Sequence, residues 1–450
     1  MVQFQGKKVA VLGLGLEGQD AARFLLEKKA KVTVFDQKSM SQLGKPFQEF
    51  KQKGIDFVLG KKCLAKLSGF EMIIRSPGFH RHLPAILAAE KKGAQISSVT
   101  KLFFDLCPGK IIGVTGTKGK GTTATLIHQI LRKDKKQVSL AGNIGRPMLS
   151  LLPSLKSSSW VVLELSSFQL MDIDQSPHIG VVLFITREHL DYHLDVLEYT
   201  EAKSGIVRYQ QKNDFAVLNA DSPTSFSLAA KTKASVHYFS RQKKVNGSYV
   251  INKSIYLKDK LVGKTKNLKI RGQHNWENVC AASLASHLAG ASLNSIKKAV
   301  FSFKGLEHRL ELVRVIKQVL FFNDSFSTTP ETTMAAIRSF NEPIVLIAGG
   351  SEKGSDYTQL GKEISCSTVK TLILIGEMAE KIHQKVIKSD FRGKVILGPK
   401  NMEKVVGLAL KEARKGEVVL LSPGCASFDM FKNYKDRGNK FKQDVKALKS

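Results

Sequence analysis

Residues 113–121, GVTGTKGKG, pack four glycines and two lysines into nine positions. An apolar run, Lys110-Ile111-Ile112, precedes them, and a helix-patterned segment, Thr122 to Leu131, follows. Strand, glycine-rich turn and helix aim backbone N–H groups and a helix N-terminus at one spot, which is chemistry for holding phosphate. Lys120 follows the last tight glycine of the turn, where a phosphate-loop lysine reaches the β- and γ-phosphates. The match to the general pattern is incomplete. Five residues separate Gly113 from Gly119 where the pattern has about four, and Gly121 stands where a Ser or Thr would ligate Mg²⁺. A plain strand-to-helix turn is the alternative reading.

Carboxylates and imidazoles cluster further along. WVVLELSSFQL, residues 160–170, places Glu164 inside an apolar strand. A buried carboxylate needs a partner or a metal, and a strand-end carboxylate beside a phosphate loop is suited to Mg²⁺; a structural salt bridge is the other possibility. REHLDYH, residues 187–193, gathers Glu188, His189, Asp191 and His193 just after a strand at 179–185, a metal or phosphate arrangement if that strand ends in the same sheet. Tyr199 and Lys203 fall one turn apart on one face of the next helix.

These groups need a scaffold. KKVAVL (7–12) reads as a buried strand, GLGLEG (Gly13 to Gly18) fits G-x-G-x-x-G, and a helix at 19–29 leads to a strand at 31–35 that ends at Asp36. That is the dinucleotide-binding βαβ fingerprint, with its acidic residue near the expected distance. Asp36 bonds a ribose hydroxyl or another nucleotide group, or only caps a turn. A strand at 71–74 runs into Ser76-Pro77-Gly78, a turn at a strand's carboxyl end, where α/β sheets bind ligands. Further strands are expected at 137–141, 160–165, 179–185 and 215–221, with Gly142-Asn143-Ile144-Gly145 closing the first. A small hairpin region is expected over 236–262, then a helix opened by a polar turn with His274, Asn275 and Asn278. From Lys304 a linker-like stretch carries Asp324 and a Ser/Thr cluster. Strands at 343–348, 369–375, 394–397 and 418–421 then alternate with helices, a second Rossmann-like sheet. The fold expected is α/β in three domains: an N-terminal Rossmann-like domain (1–97), a central P-loop-type ATPase α/β domain (98–303) and a C-terminal Rossmann-like domain (304–450).

Composition bounds the partners. The 450 residues are 42% hydrophobic, enough for several cores, and carry a formal net charge of +31. The basic residues are scattered as KK and KxK pairs with no nucleic-acid reading motif. They read as a solvated basic surface, with attraction of polyanionic small substrates as a second reading; no nucleic-acid partner is expected. The five cysteines lack metal-ligand spacing and suit a reducing cytosol. No signal peptide and no bilayer-spanning run is expected, so the expected location is cytoplasmic.

Four stretches in order, ELSSFQL (164–170), GQHNWEN (272–278), GLEHR (305–309) and SPGCASFDMFKNYKDRGNKF (422–441), resemble the Mur ligases over nearly the whole chain. The last is similar to the D-glutamate-adding members. The resemblance implies ATP-dependent amide bond formation, with UDP-N-acetylmuramoyl-L-alanine and glutamate as small-molecule substrates and a monomer. The alanyl carboxylate would attack the γ-phosphorus and ADP leave. The glutamate amine would then attack the acyl phosphate and phosphate leave through a tetrahedral intermediate. Three anionic partners must be clamped and the acyl phosphate kept from water. The first domain would bind uridine and pyrophosphate, explaining a dinucleotide fingerprint without hydride chemistry. The central domain would bind ATP, and the third would close and deliver glutamate.

By the resemblance, ATP would be held by Gly116, Thr117, Lys118, Gly119, Lys120, Gly121 and Thr122, with Asn275, Asn278, Arg309 and Asp324. Mg²⁺ would be held by Glu164, His189 and Lys203, the last matching a family lysine that is carbamylated; these three with Lys120 form the catalytic set. The UDP-sugar path would take in Gly15, Asp36, Ser76, Pro77, Gly78, Asn143, Ser166 and Gln169. The glutamate pocket would be formed by Thr328, Lys353, Ser427, Phe428 and Tyr434. Lys118, Gly121, Phe184, Arg187-Glu188, Glu17 and Phe326 depart from the family's usual residues, at the metal, uracil and glutamate sites. The other readings are a ligase for L-glutamate or another acidic amino acid, a UDP-sugar-binding relative without ligase activity, and an NAD oxidoreductase that would leave the phosphate loop without a purpose.

Overall fold

The computed structural model describes residues 3–186, 192–352 and 354–449. They pack as two compact units, one of residues 1–266 and 276–300 and one of residues 267–275 and 301–450.

The first unit holds two sheets. One is wholly parallel: β1 Lys8–Leu12, β2 Lys31–Asp36, β3 Asp56–Leu59, β4 Met72–Arg75 and β5 Gln95–Ser98, in the order β3-β2-β1-β4-β5. β1 and β2 are near-continuous apolar runs because helices cover both faces. The order reverses between β1 and β4, the switch point at which such sheets bind ligands. The other sheet has nine strands: β6 Lys110–Thr115, β7 Val138–Gly142, β8 Trp160–Glu164, β9 Ile179–Val182, β10 Phe215–Asn219, β11 Ser235–Ser240, β12 Gly247–Ile251, β13 Ser254–Leu257 and β14 Lys260–Lys264. Their order is β14-β13-β12-β11-β10-β9-β6-β8-β7. β6 lies between β8 and β9 with parallel pairing on both sides, so the glycine loop leaves the sheet where the connections change direction. The hairpin expected over 236–262 is larger than that. β11 pairs parallel with β12, and only β12–β13 and β13–β14 are antiparallel.

A buried carboxylate bonded to backbone amides and a buried salt bridge join these two sheets. The helix Leu16–Glu27 buries Asp20, whose carboxylate accepts from Leu149 and Ser150 N–H at 2.7 and 3.1 Å. Arg75, at the end of β4, is buried on Asp172.

The second unit carries β15 Glu311–Ile316, β16 Val319–Asn323, β17 Ile344–Gly349, β18 Val369–Ile375, β19 Lys394–Leu397 and β20 Val418–Leu421, ordered β15-β16-β20-β17-β18-β19. The stretch expected to be linker-like is a hairpin. β15 and β16 pair antiparallel around Lys317 and Gln318, both at positive φ (49° and 62°), and β16 continues parallel onto β20. The Phe321-Phe322 pair is buried between two apolar layers, and that burial makes a strand of what reads locally as a loop. Among the described residues no helix is long and apolar enough to cross a membrane.

Candidate active site

The glycine loop is shaped by two positions where a side chain has no room. Gly116 has φ 143° and a Cβ there would lie 2.7 Å from the Leu183 Cβ; Gly119 has φ 86° and a Cβ there would lie 2.3 Å from Asn278 Oδ1. Both conformations are ones that L side chains rarely adopt. The helix begins at Lys120, two residues before the expected start. Gly119 caps it in the left-handed conformation, so the loop's last turn is already helical and its N–H groups face the loop. Gly121 is buried in that first turn, followed by Thr122, also buried. Asn278 lies under the loop, its Oδ1 accepting from Thr123 Oγ1 at 3.2 Å.

Lys120 Nζ donates to the carbonyls of Gly116 and Thr117, each at 3.0 Å. The ammonium is therefore held over the mouth of the loop. Thr117 N–H donates to Phe184 O at 2.8 Å, and Thr117 Oγ1 accepts from Thr186 N–H at 2.9 Å and meets Tyr199 OH at 3.1 Å. The contact from Phe184 is made by its backbone, so the loop's anchor does not depend on the side chain at that position. Lys118 is exposed at the loop's tip.

Glu164 ends β8, buried, in register with Val114 of β6 and Gly142 of β7. Gly142 is required there, because a Cβ would come within 2.2 Å of Glu164 O, the carbonyl that accepts from Asn143 N–H at 3.1 Å. Lys203, on the helix Val196–Arg208, is buried with its Nζ 3.1 Å from Gly116 O and 4.6 Å above the Tyr199 ring. The loop thus leaves β6, Glu164 ends the neighbouring β8, and Lys203 reaches the loop from the helix Val196–Arg208. His189 lies outside the described residues, as do Arg187, Glu188 and Asp191. His193 is buried, bonded through Nε2 to Ser167 Oγ at 2.9 Å and stacked on Phe168, with Nδ1 3.6 Å from the Glu198 carboxylate.

Of the UDP-sugar candidates, Gly15, Asp36, Ser76, Pro77 and Gly78 lie at the carboxyl ends of the first sheet's strands, Ser166 and Gln169 follow β8, and Asn143 follows β7. Gly13 has φ 88°, and a Cβ there would lie 2.5 Å from Ser76 Oγ, so the turns after β1 and β4 touch. At Gly18 a Cβ would collide with Gly13 O, the close helix–strand approach for which this fingerprint needs its last glycine. Asp36 is buried and accepts from Leu14 N–H at 2.8 Å and Lys38 N–H at 2.9 Å, so it holds the turn around Gly13 and Gly15. Ser76 and Pro77 are half-buried; Gly15 and Gly78 are exposed. Ser166 and Gln169 form a capping box, with Gln169 Oε1 accepting from Ser166 N–H at 2.9 Å and Ser166 Oγ accepting from Gln169 N–H at 3.3 Å. Gln169 Nε2 donates to Glu17 Oε1 at 2.5 Å across the two sheets. Burial pushes the Glu17 carboxyl above its usual range, against the pull of that hydrogen bond and of Arg75.

In the second unit the carboxyl ends of β16, β20 and β17 converge. Asp324 follows β16, buried, accepting from Ser327 Oγ at 2.5 Å, Ser422 Oγ at 2.8 Å and Leu310 N–H at 3.1 Å. Burial pushes its carboxyl up to about 6. Ser427 is buried, and Phe428 is exposed with its N–H donating to Ser351 Oγ at 3.1 Å. Thr328 and Tyr434 are half-buried. Lys353 lies outside the described residues. Asn275 Nδ2 donates to Arg271 O at 2.6 Å.

Arg437 is a residue the sequence reading missed. It is buried, and its guanidinium donates to Ser325 Oγ and O and to the carbonyls of Cys425 and Ala426 at 3.0–3.2 Å. It ties the segment after β16 to the segment after β20, and burial lowers it to about 10. The only signal in sequence was an arginine one turn into an amphipathic helix.

A glycine loop over a parallel sheet, a strand-end carboxylate beside it, a dinucleotide-type glycine turn and a third α/β domain define a nucleotide-using enzyme of three domains. Three family models match in turn: the Mur ligase MurD-like N-terminal domain at residues 7–98, the Mur ligase middle domain at 114–286, and the Mur ligase glutamate ligase domain at 308–425. The chain is 39% identical over 447 residues to a UDP-N-acetylmuramoylalanine–D-glutamate ligase of Clostridium tetani, covering 98% of this chain and 97% of that protein. It is 40% identical over 452 residues to the enzyme of the same name from Symbiobacterium thermophilum, covering 98% of each. Among solved structures it is similar to the UDP-N-acetylmuramate–alanine ligase MurC of Thermotoga maritima (TM-score 0.62, 15% identity, 98% of this chain and 100% of that one). It is also similar to a pseudomurein peptide ligase of Methanothermus fervidus (TM-score 0.58, 20% identity, 99% and 100%). The structural likenesses establish the fold. The chain belongs to the Mur ligase family.

Proposed function

We propose that this enzyme joins D-glutamate to UDP-N-acetylmuramoyl-L-alanine at the expense of ATP, in the synthesis of peptidoglycan precursor. The observation that carries the reading is the Gly116–Gly119 loop leaving β6 beside β8, which Glu164 ends, with Lys203 reaching the loop, in a chain alike from end to end to D-glutamate ligases.

Loop N–H groups and Lys120 suit a polyphosphate. The ammonium, now on two loop carbonyls, would turn to the γ-phosphate and neutralise charge as the alanyl carboxylate attacks phosphorus and ADP leaves. The donors present fit a divalent cation: Glu164 supplies a buried carboxylate, and Lys203 does so if its amine is carbamylated, with His189 as the further ligand. Mg²⁺ held there would supply Lewis-acid stabilisation of phosphate oxygens. Asp36, Ser76, Gly78, Asn143, Ser166 and Gln169 would hold the UDP-sugar. Ser427, Thr328, Lys353 and Tyr434 would hold glutamate, whose amine attacks the acyl carbon and expels phosphate. Residues 1–97, 98–303 and 304–450 are assigned as the UDP-sugar-binding, ATP-binding and amino-acid-binding domains.

Product mass tests the reading. Incubation with ATP, Mg²⁺, UDP-N-acetylmuramoyl-L-alanine and glutamate should yield a UDP-sugar heavier by one glutamyl residue, together with ADP and phosphate. ATP hydrolysis without that product would overturn it.

A further inference from the structure

One aromatic ring in the second unit touches a candidate from each of two sites. Phe326 is about one-third exposed. The Arg309 guanidinium carbon lies 3.8 Å from the centroid of its ring. The ring of Tyr434 meets Phe326 edge-on, 5.1 Å between centroids and 88° between planes. The backbone around this stack is fixed. Phe326 N–H donates to His308 O at 3.0 Å, and Leu310 N–H donates to the Asp324 carboxylate at 3.1 Å. On the far side Ser325 Oγ donates to Tyr434 O at 2.8 Å. A planar guanidinium stacked on an aromatic face is held in a preferred orientation.

We propose that Phe326 is a positioning residue that orients Arg309 on its face and Tyr434 at its edge, so that one nucleotide contact and one wall of the amino-acid pocket are set together. This rests on the assignment of Arg309 to ATP and Tyr434 to glutamate made above. The ring acts through its two neighbours.

The test is steady-state kinetics of Phe326→Leu, Phe326→Tyr and Arg309→Ala, with thermal unfolding confirming that each is folded. Phe326→Leu keeps an apolar side chain but has no π face. It should raise KM for both ATP and glutamate, by about fivefold each for a half-exposed stack, with kcat changed less. Phe326→Tyr should restore both values, and Phe326→Leu should add nothing to the ATP KM of Arg309→Ala. Phe326→Leu with both KM values unchanged, or Phe326→Tyr no better than Phe326→Leu, would overturn the proposal. Arg309→Ala with an unchanged ATP KM would instead overturn the nucleotide assignment on which it rests.

Discussion

Arg75 donates from Nε and Nη2 to the same oxygen of Asp172, at 3.1 and 2.5 Å, with both side chains almost wholly buried. Its remaining donors reach Phe79 O, Phe168 O and Tyr192 OH. Arg75 precedes Ser76-Pro77-Gly78, and Asp172 follows the Ser166–Gln169 cap, so this pair sets the two halves of the proposed UDP-sugar path against each other. Removing one partner of a buried pair leaves the other charge unpaired. Asp172→Asn should lower unfolding free energy by about 3–5 kcal/mol, read by urea denaturation. An unchanged midpoint would show that the two sheets are joined by apolar packing and that the pair is incidental.

Gly119→Ala should damage the loop through both conformation and space. The position has φ 86°, and the new Cβ would meet Asn278 Oδ1 at 2.3 Å. Turnover should fall at least about tenfold, with Lys120→Ala falling about a hundredfold or more as a charge-neutralising group is lost. Circular dichroism of both should match the parent. Near-normal phosphate release by either folded variant would remove the loop from the phosphate site.

Lys203 sits with its Nζ against Gly116 O and over Tyr199. A cation there would oppose a metal ion, whereas a carbamate supplies anionic oxygen suited to Mg²⁺. Lys203→Ala should be inactive and regain partial activity with added short-chain carboxylates, and intact-mass analysis under bicarbonate should detect the carbamate in the parent alone. Full activity of the alanine variant without additive would contradict this.

Asp324 gives a pH signature. Burial raises its carboxyl to about 6 from 3.8. A folded-state value above the unfolded one means the protonated form favours the fold. That contribution is complete below about pH 4 and is lost as pH rises through about 6. Asp324→Asn cannot ionise, so its melting temperature minus that of the parent should climb between pH 4 and pH 7. A flat difference would show that Asp324 titrates normally.

Much of this was legible in the sequence because the signals were local. Glycine spacing, an apolar strand ending in Glu164, and the one-turn offset of Tyr199 and Lys203 depend on residues a few positions apart. The helix start at Lys120 was misplaced because glycine reads as loop, although Gly119 in the left-handed conformation is what begins the helix. The β15–β16 hairpin was misread as linker because its polar edge conceals Phe321 and Phe322, whose burial depends on the rest of the sheet. Arg75, Arg437 and the Glu17–Gln169 bond were invisible for the same reason. Their partners lie 97, 112 and 152 positions away, and no local pattern marks a cation buried against distant carbonyls or carboxylates. Asp36 shows the reverse. Its spacing marked it, but the structure was needed to show that both its oxygens grip turn amides.

The most direct measurement is phosphate release from ATP with UDP-N-acetylmuramoyl-L-alanine and each enantiomer of glutamate in turn. The account predicts release that requires both the UDP-sugar and D-glutamate, with L-glutamate at background. Equal or greater release with L-glutamate would contradict the assigned acceptor, and no release with either enantiomer, from protein that binds the UDP-sugar, would contradict the assignment of this chain as a working ligase.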